Sequence, residues 1–202
     1  MDFLESLNQS LFLLINADPA TPAWRIHAAM LVANKLILLL VPGVMAAVWL
    51  WGKEAHRGLM LKALASIAVA LAASYFCGLL WPQPRPFVVG LGHAFFTHKA
   101  TSSFPSNHTI IIATFAFALI LDRRWAGGGW LTLAGALLVG TSRVYLGVHF
   151  PLDIAGGLVL APLAAAVTIP VWRRAGAPVT AAAQGLYRKV LALPIARGWI
   201  RA

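Results

Sequence analysis

The chain has 202 residues, of which 60% are hydrophobic and only 11% charged, with a formal net charge of +10. Soluble domains carry about 25% charged residues, so this composition excludes an ordinary soluble fold and points to an all-α protein embedded in a membrane. Cys77 is the lone cysteine, lies in an apolar run and cannot form an internal disulfide, which reads as a small buried hydrophobe.

The positive charge admits two partners, nucleic acid or anionic lipid. Position decides for lipid. Lys53, Arg57, Lys62, Arg123 and Arg124 flank two internal loops, and Arg173, Arg174, Arg188, Lys189, Arg197 and Arg201 lie near the C-terminal end. This is the loop bias of a multi-pass membrane protein rather than a nucleic-acid groove, so no nucleic-acid partner is expected.

In chain order, residues 3–16 alternate apolar and polar at helical spacing, which predicts an amphipathic helix lying on the membrane. The run is too short for a span. Asp2 and Glu5 stand where a secretory leader would be basic, so no cleavable signal peptide is expected. Five apolar runs then predict spans at 28–51, 59–81, 108–121, 130–146 and 152–172. The expected architecture is a bundle of five to six helices with an N-terminal amphipathic helix. Trp24, Trp51, Trp81, Trp125, Trp130 and Trp172 sit near the ends of these runs, as an interfacial aromatic belt would place them. The basic loops and the 173–202 segment fall on one side, which is therefore expected to be cytoplasmic.

Three polar stretches interrupt the apolar sequence: Arg85-Pro86-Phe87, Pro105-Ser106-Asn107-His108, and Ser142-Arg143 followed by His149 and Asp153. Ionisable residues this close to a bilayer are expensive and mark function. Span parity brings all three to the side opposite the basic loops. Arg85, stiffened between Pro84 and Pro86, offers a planar fork of donors to a phosphate; the other reading is an arginine that anchors a loop to lipid headgroups. Ser106 or Asn107 near a helix start would present backbone N–H groups and a hydroxyl to an anion, with His108 placed to protonate a leaving oxygen. A plain cap with an interfacial histidine fits equally. In the third stretch, Asp153 one turn inside a helix can accept the Nδ1 proton of His149, aiming Nε2 at a phosphorus atom. A His–Asp pair that only braces the helix is the alternative.

His108, His149 and Asp153 could also make a metal site. The carboxylate supply argues against it: of six Asp and Glu, only Asp153 lies in a motif, so no metal and no other cofactor are expected. His93, His98 and Lys99 read as solvated residues of the outer loop, with contact of one of them to a substrate headgroup as the alternative, and Lys35 as a snorkelling or interior lysine. Gly156-Gly157 reads as a site of close helix packing.

These stretches resemble the three signatures of the membrane type 2 phosphatidic acid phosphatase superfamily, K-x6-R-P, P-S-x-H and S-R-x5-H-x3-D. The second and third match in full, while the first matches only at Arg85-Pro86, with Gly78 where the family has lysine. The Pro84–Val88 and Ser103–Thr109 contexts look like the bacterial undecaprenyl pyrophosphate phosphatases of the bacitracin-resistance type. The resemblance implies that Arg85, Ser106, Asn107, Ser142 and Arg143 hold phosphate. It further implies that His149 is the nucleophile, that Asp153 orients it, and that His108 is the general acid. Either Lys99 or Lys35 replaces the missing lysine charge, or a smaller site suffices. The implied substrate is a polyprenyl diphosphate in the bacterial cytoplasmic membrane, with the site facing outward; a broader lipid phosphatase, a lipid phosphotransferase and a lipid-binding transporter or scaffold share the same residues. On this reading 1–202 is one domain, with an interfacial segment over 1–27, a transmembrane catalytic core over 28–172 and a basic cytoplasmic tail over 173–202. Oligomeric state is not set by the sequence.

Overall fold

The computed structural model describes residues 3–202; Met1 and Asp2 lie outside the described residues. The helices run in the order α1 (Phe3–Ile15), α2 (Ala23–Leu38), a π-helical turn (Leu39–Gly43), α3 (Val44–Trp51), α4 (Glu54–Leu80), α5 (Asn107–Ile120), α6 (Ala126–Tyr145), α7 (Pro151–Val190) and α8 (Ala192–Ala196). No strand occurs among the described residues.

Three helical stretches are long and apolar enough to cross a membrane: Ala23–Trp51, Glu54–Leu80 and Pro151–Val190. The first starts ahead of the expected Ala28, and α2 and α3 join through the π turn. Pro42, inside that turn, has no N–H to give to the helical ladder, and the widened turn accommodates it. Leu131, Val159, Val167 and Val171 stand more than half exposed, the apolar outer surface that lipid would cover.

Helix α5 is the centre of the bundle. It is apolar all round, and Ile110, Ile112, Ala113, Phe115 and Ala116 are fully buried against α4, α6 and α7. Two of its neighbours come close through glycine. A Cβ on Gly140 of α6 would lie 3.1 Å from Thr109 of α5, and one on Gly157 of α7 3.2 Å from the same residue. Gly156 instead faces the Phe104 ring of the 82–104 connection. The expected packing role of the glycine pair is thus divided between a helix and a loop.

One terminal helix is longer than the expected span, and the other forms where the amphipathic helix is expected. Helix α7 does not stop near Trp172 but runs 40 residues, about 60 Å at 1.5 Å per residue, twice a bilayer core of about 30 Å. Residues 173–190 therefore continue the helix beyond the length a bilayer core can hold, and the Ala-rich run at 181–183 favours that. Beyond it the chain turns back: the Arg201 amide donates to the Leu50 carbonyl at 2.8 Å, Arg57 to the Arg201 carbonyl at 3.0 Å, and Arg188 pairs with Glu54. At the other end α1 docks on the protein. Phe12 is fully buried, its ring edge-on to Phe150 at 5.3 Å, and the Asn8 side chain accepts from the Leu152 amide at 3.0 Å. Asn16 ties the end of α1 to the backbone of His93 and Tyr145.

Candidate active site

Alternating helix directions bring the end of α4, the start of α5, the end of α6 and the start of α7 to one end of the bundle. The 82–104 connection folds over them. At this end Arg85, Ser106, Ser142, Arg143, His149 and Asp153 are all buried. Lys53, Arg57, Arg123 and Arg124 belong to the opposite end.

Pro151 opens α7 at its first position, where its missing N–H costs nothing, and this leaves His149 just outside the helix mouth. Asp153 reaches back. One carboxylate oxygen, Oδ2, accepts from the Phe150 amide at 2.7 Å, from His149 Nδ1 at 3.1 Å and from the Ser103 hydroxyl. Because Nδ1 carries the proton, Nε2 is the lone pair, and it lies 3.2 Å from Arg85 NH1. His149 is 3% exposed, and burial pushes its pKa down to about 4 against the opposing bond to Asp153. The ring is therefore an available nucleophile at neutral pH. An unfolded histidine titrates near 6.5, so between about 6.5 and about 4 the unfolded chain binds the proton first, and this group withdraws stability as pH falls through that window.

Arg85 is held by three carbonyls: Nε by Thr101 at 3.1 Å, NH1 by Val148 at 2.8 Å and NH2 by Ser102 at 3.2 Å. Gly78 helps to make this possible. A Cβ there would lie 3.3 Å from Ser102, so the residue in the lysine position of the first signature lets the Arg85-binding loop approach α4. Arg143, 1% exposed, gives NH2 to His98 Nε2 at 3.1 Å and NH1 to the Ala33 carbonyl at 3.4 Å, while its Nε has no partner.

Ser106 is the N-cap of α5, yet its hydroxyl does not cap; it accepts from Thr109 Oγ1 at 3.2 Å and keeps its own proton free to donate. Its amide donates to the Asp153 carbonyl at 3.0 Å, which locks the start of α5 to the start of α7. The first α5 amide to find an acceptor one turn back is that of Ile110, so the N–H groups before it are left free for an anion at the helix start. His108 is half-buried within the electrostatic reach of Arg143, His149, His98 and Arg85. Ser142 is present but gives its proton to the Leu138 carbonyl at 2.8 Å.

Three expected phosphate or headgroup contacts do not join this cluster. Asn107 is exposed on the other side of the α5 start, where its Oδ1 accepts from Ser74 of α4 at 2.7 Å; the first residues of a helix fan outward, so adjacent positions face different ways. Lys35 is exposed on α2 beside His27, Leu31 and Asn34. Lys99 is exposed at the mouth, and only its carbonyl is engaged, by His98 Nδ1. Conversely, Ser103 and His98 join the site although neither stands in a motif. The sequence signal for Ser103 is its place at the head of the Ser103–Thr109 context, and for His98 only its place in the outer loop.

Gly147 shapes the turn into His149. Its φ is +80°, and a Cβ there would come 2.0 Å from the His93 carbonyl oxygen. Gly147→Ala should therefore cost about 2 kcal/mol or more in stability, read as a lower melting temperature in detergent.

A cleft of about 450 Å³ opens beside Asp153, between α1, the end of α4 and the start of α7, with Leu4, Trp81, Phe104, Phe150 and Leu152 on its walls.

A family model, the PAP2 superfamily, matches residues 59–177. The chain is 42% identical over 199 residues to the putative undecaprenyl-diphosphatase YbjG of Escherichia coli, spanning 98% of this chain and 99% of that relative. It is 36% identical over 131 residues to the undecaprenyl-diphosphatase BcrC of Bacillus subtilis, 65% of this chain and 63% of that one. The fold is similar to the crystal structure of Aquifex aeolicus LpxE, with a TM-score of 0.62 and 24% identity over 81% of this chain and 95% of that one. A family match over more than half the chain, together with a relative aligned along nearly all of it, makes this protein a member of the PAP2 superfamily.

Proposed function

We propose that the chain is an undecaprenyl-diphosphate phosphatase that works through a phosphohistidine and returns the monophosphate carrier to cell-wall synthesis. The observation that carries the mechanism is the single buried array Asp153–His149–Arg85, in which Nδ1 is tied down and Nε2 is left as a lone pair beside a guanidinium. The substrate is inferred from the relatives named above.

In the first step His149 Nε2 attacks the terminal phosphorus, the bond from that phosphorus to the bridging oxygen breaks, and His108 gives its proton to the departing lipid monophosphate. Arg85, Arg143, Ser106 and the α5 amides meet the charge on the phosphoryl oxygens. In the second step water attacks the phosphohistidine and His108 takes the water proton, releasing inorganic phosphate and neutral His149. The cleft beside Asp153 offers the apolar side chains of Leu4, Trp81, Phe104, Phe150 and Leu152 to the first isoprene units of the lipid. The basic residues at the far end of the bundle support a cytoplasmic location for that end and an outward-facing site.

The deciding experiment is phosphate release by purified protein, in EDTA, from a polyprenyl diphosphate, phosphatidylglycerophosphate, phosphatidic acid and lysophosphatidic acid. Preference for the diphosphate is expected; equal or better turnover of the glycerolipids overturns the substrate, and loss of activity in EDTA overturns the metal-free mechanism. The two lysines separate in the same assay. Lys99→Ala, at the mouth, should raise KM several-fold, roughly the worth of one exposed phosphate contact, whereas Lys35→Ala should stay within about twofold of the parent kcat/KM.

A further inference from the structure

Both arginines of the site are oriented by acceptors that carry no charge. Arg85 gives its donors to the Thr101, Ser102 and Val148 carbonyls, and Arg143 to the Ala33 carbonyl and the His98 ring. The carboxylate of Asp153 serves His149, Phe150 and Ser103 instead. A carboxylate against Arg143 would orient it as well, but it would also cancel the charge meant for a phosphate and compete with that phosphate for the same donors. A neutral imidazole orients without neutralising.

The tautomer of His98 is fixed by its surroundings. Nδ1 lies 3.1 Å from the Lys99 carbonyl, which can only accept, so Nδ1 holds the proton and Nε2 turns its lone pair to Arg143 NH2 at 3.1 Å. Burial first, then the charges of Arg85 and Arg143, lower the His98 pKa, while the bond to Lys99 opposes them. The ring stands edge-on to His149, with centroids 6.4 Å apart. The consequence is read at Arg143, which is 1% exposed and keeps a buried Nε–H without a partner. An anionic oxygen is the acceptor that such a donor lacks.

We propose that His98 is a positioning residue for the reaction: as a neutral acceptor it holds Arg143 in the pose that offers its free Nε–H and its full positive charge to the substrate phosphate. This rests on the phosphatase reading above. No signature of the sequence contains His98, and its role follows from Arg143 alone.

The test uses the full chain in detergent, with inorganic phosphate as the binding probe and a polyprenyl diphosphate for kcat and KM. His98→Gln can set Oε1 where Nε2 was, and His98→Glu has the same shape but adds a charge. His98→Gln is expected within about threefold of the parent, whereas His98→Ala should weaken phosphate binding and raise KM by about tenfold or more. His98→Glu should lose at least as much as the alanine variant, although it keeps an acceptor. Equal phosphate affinity in the Gln and Glu variants, or an alanine variant with parental KM, overturns the proposal. Should the alanine variant fail to fold, the Gln and Glu pair decides, each checked by its melting temperature. A parent chain that binds no phosphate overturns both this proposal and the proposed function. One that binds phosphate but hydrolyses no diphosphate sinks the lipid reading alone and leaves the Gln–Glu comparison in force.

Discussion

His149→Ala is expected to lose phosphate release from a polyprenyl diphosphate by on the order of 10⁴-fold or more, because a nucleophile that acts as one unit with its base carries nearly all of the chemical step. The fold should survive the change. His149 stands in the turn before α7 and not in the packed centre around α5, and the Phe150 amide keeps its bond to Asp153. With Arg85 and Arg143 still in place, the variant should bind inorganic phosphate with little loss and fail only in turnover. Brief incubation with substrate labelled in the terminal phosphate should leave acid-labile label on the parent protein and none on the variant. Release at the parental rate would sink the nucleophile assignment. The parent should also keep its activity well below pH 6, since protonation of a ring whose pKa is about 4 removes the lone pair only as pH approaches that value.

The sequence carried the convergence of the site more fully than its wiring. Span parity alone put the three motifs at one end, because parity depends on counting apolar runs, and composition makes such runs easy to see. The pairing of His149 with Asp153 was also legible, since an acidic residue in the first turn of a helix reaches back to the residues at its mouth. What holds the arginines was not. Arg85 hangs from the carbonyls of Thr101, Ser102 and Val148, and backbone acceptors leave no trace in residue identity. Asn107 was misplaced for a related reason: a motif gives the order of residues along a helix start but not the rotation that turns Ser106 inward and Asn107 toward Ser74. The length of α7 escaped because hydropathy marks where a span leaves lipid, and helix continues past that point wherever local propensity and a partner such as Glu54 sustain it.

Asp153→Asn should lower kcat by about 10²-fold or more with little change in KM, the effect of removing the charge that stabilises the histidine as it becomes cationic. The substitution keeps the shape of the side chain and an oxygen for the Phe150 amide, so the mouth of α7 should stay intact. The oxygen that serves the Phe150 amide is the same one that accepts from His149 Nδ1, so an asparagine that keeps the mouth of α7 intact also keeps the tautomer. What it removes is the charge: no carboxylate then faces the ring when phosphorylation makes it cationic. Phosphate binding belongs to Arg85 and Arg143, which is why KM should hold. Asp153→Ala differs in kind: it leaves the buried Phe150 N–H and Ser103 hydroxyl without their acceptor and should add a stability loss of about 1–3 kcal/mol. The two variants separate the two readings of the His–Asp pair. If the pair only braces the helix, the asparagine variant, which keeps the brace, turns over at the parental rate. If it sets the nucleophile, that variant melts near the parent and is nearly inactive.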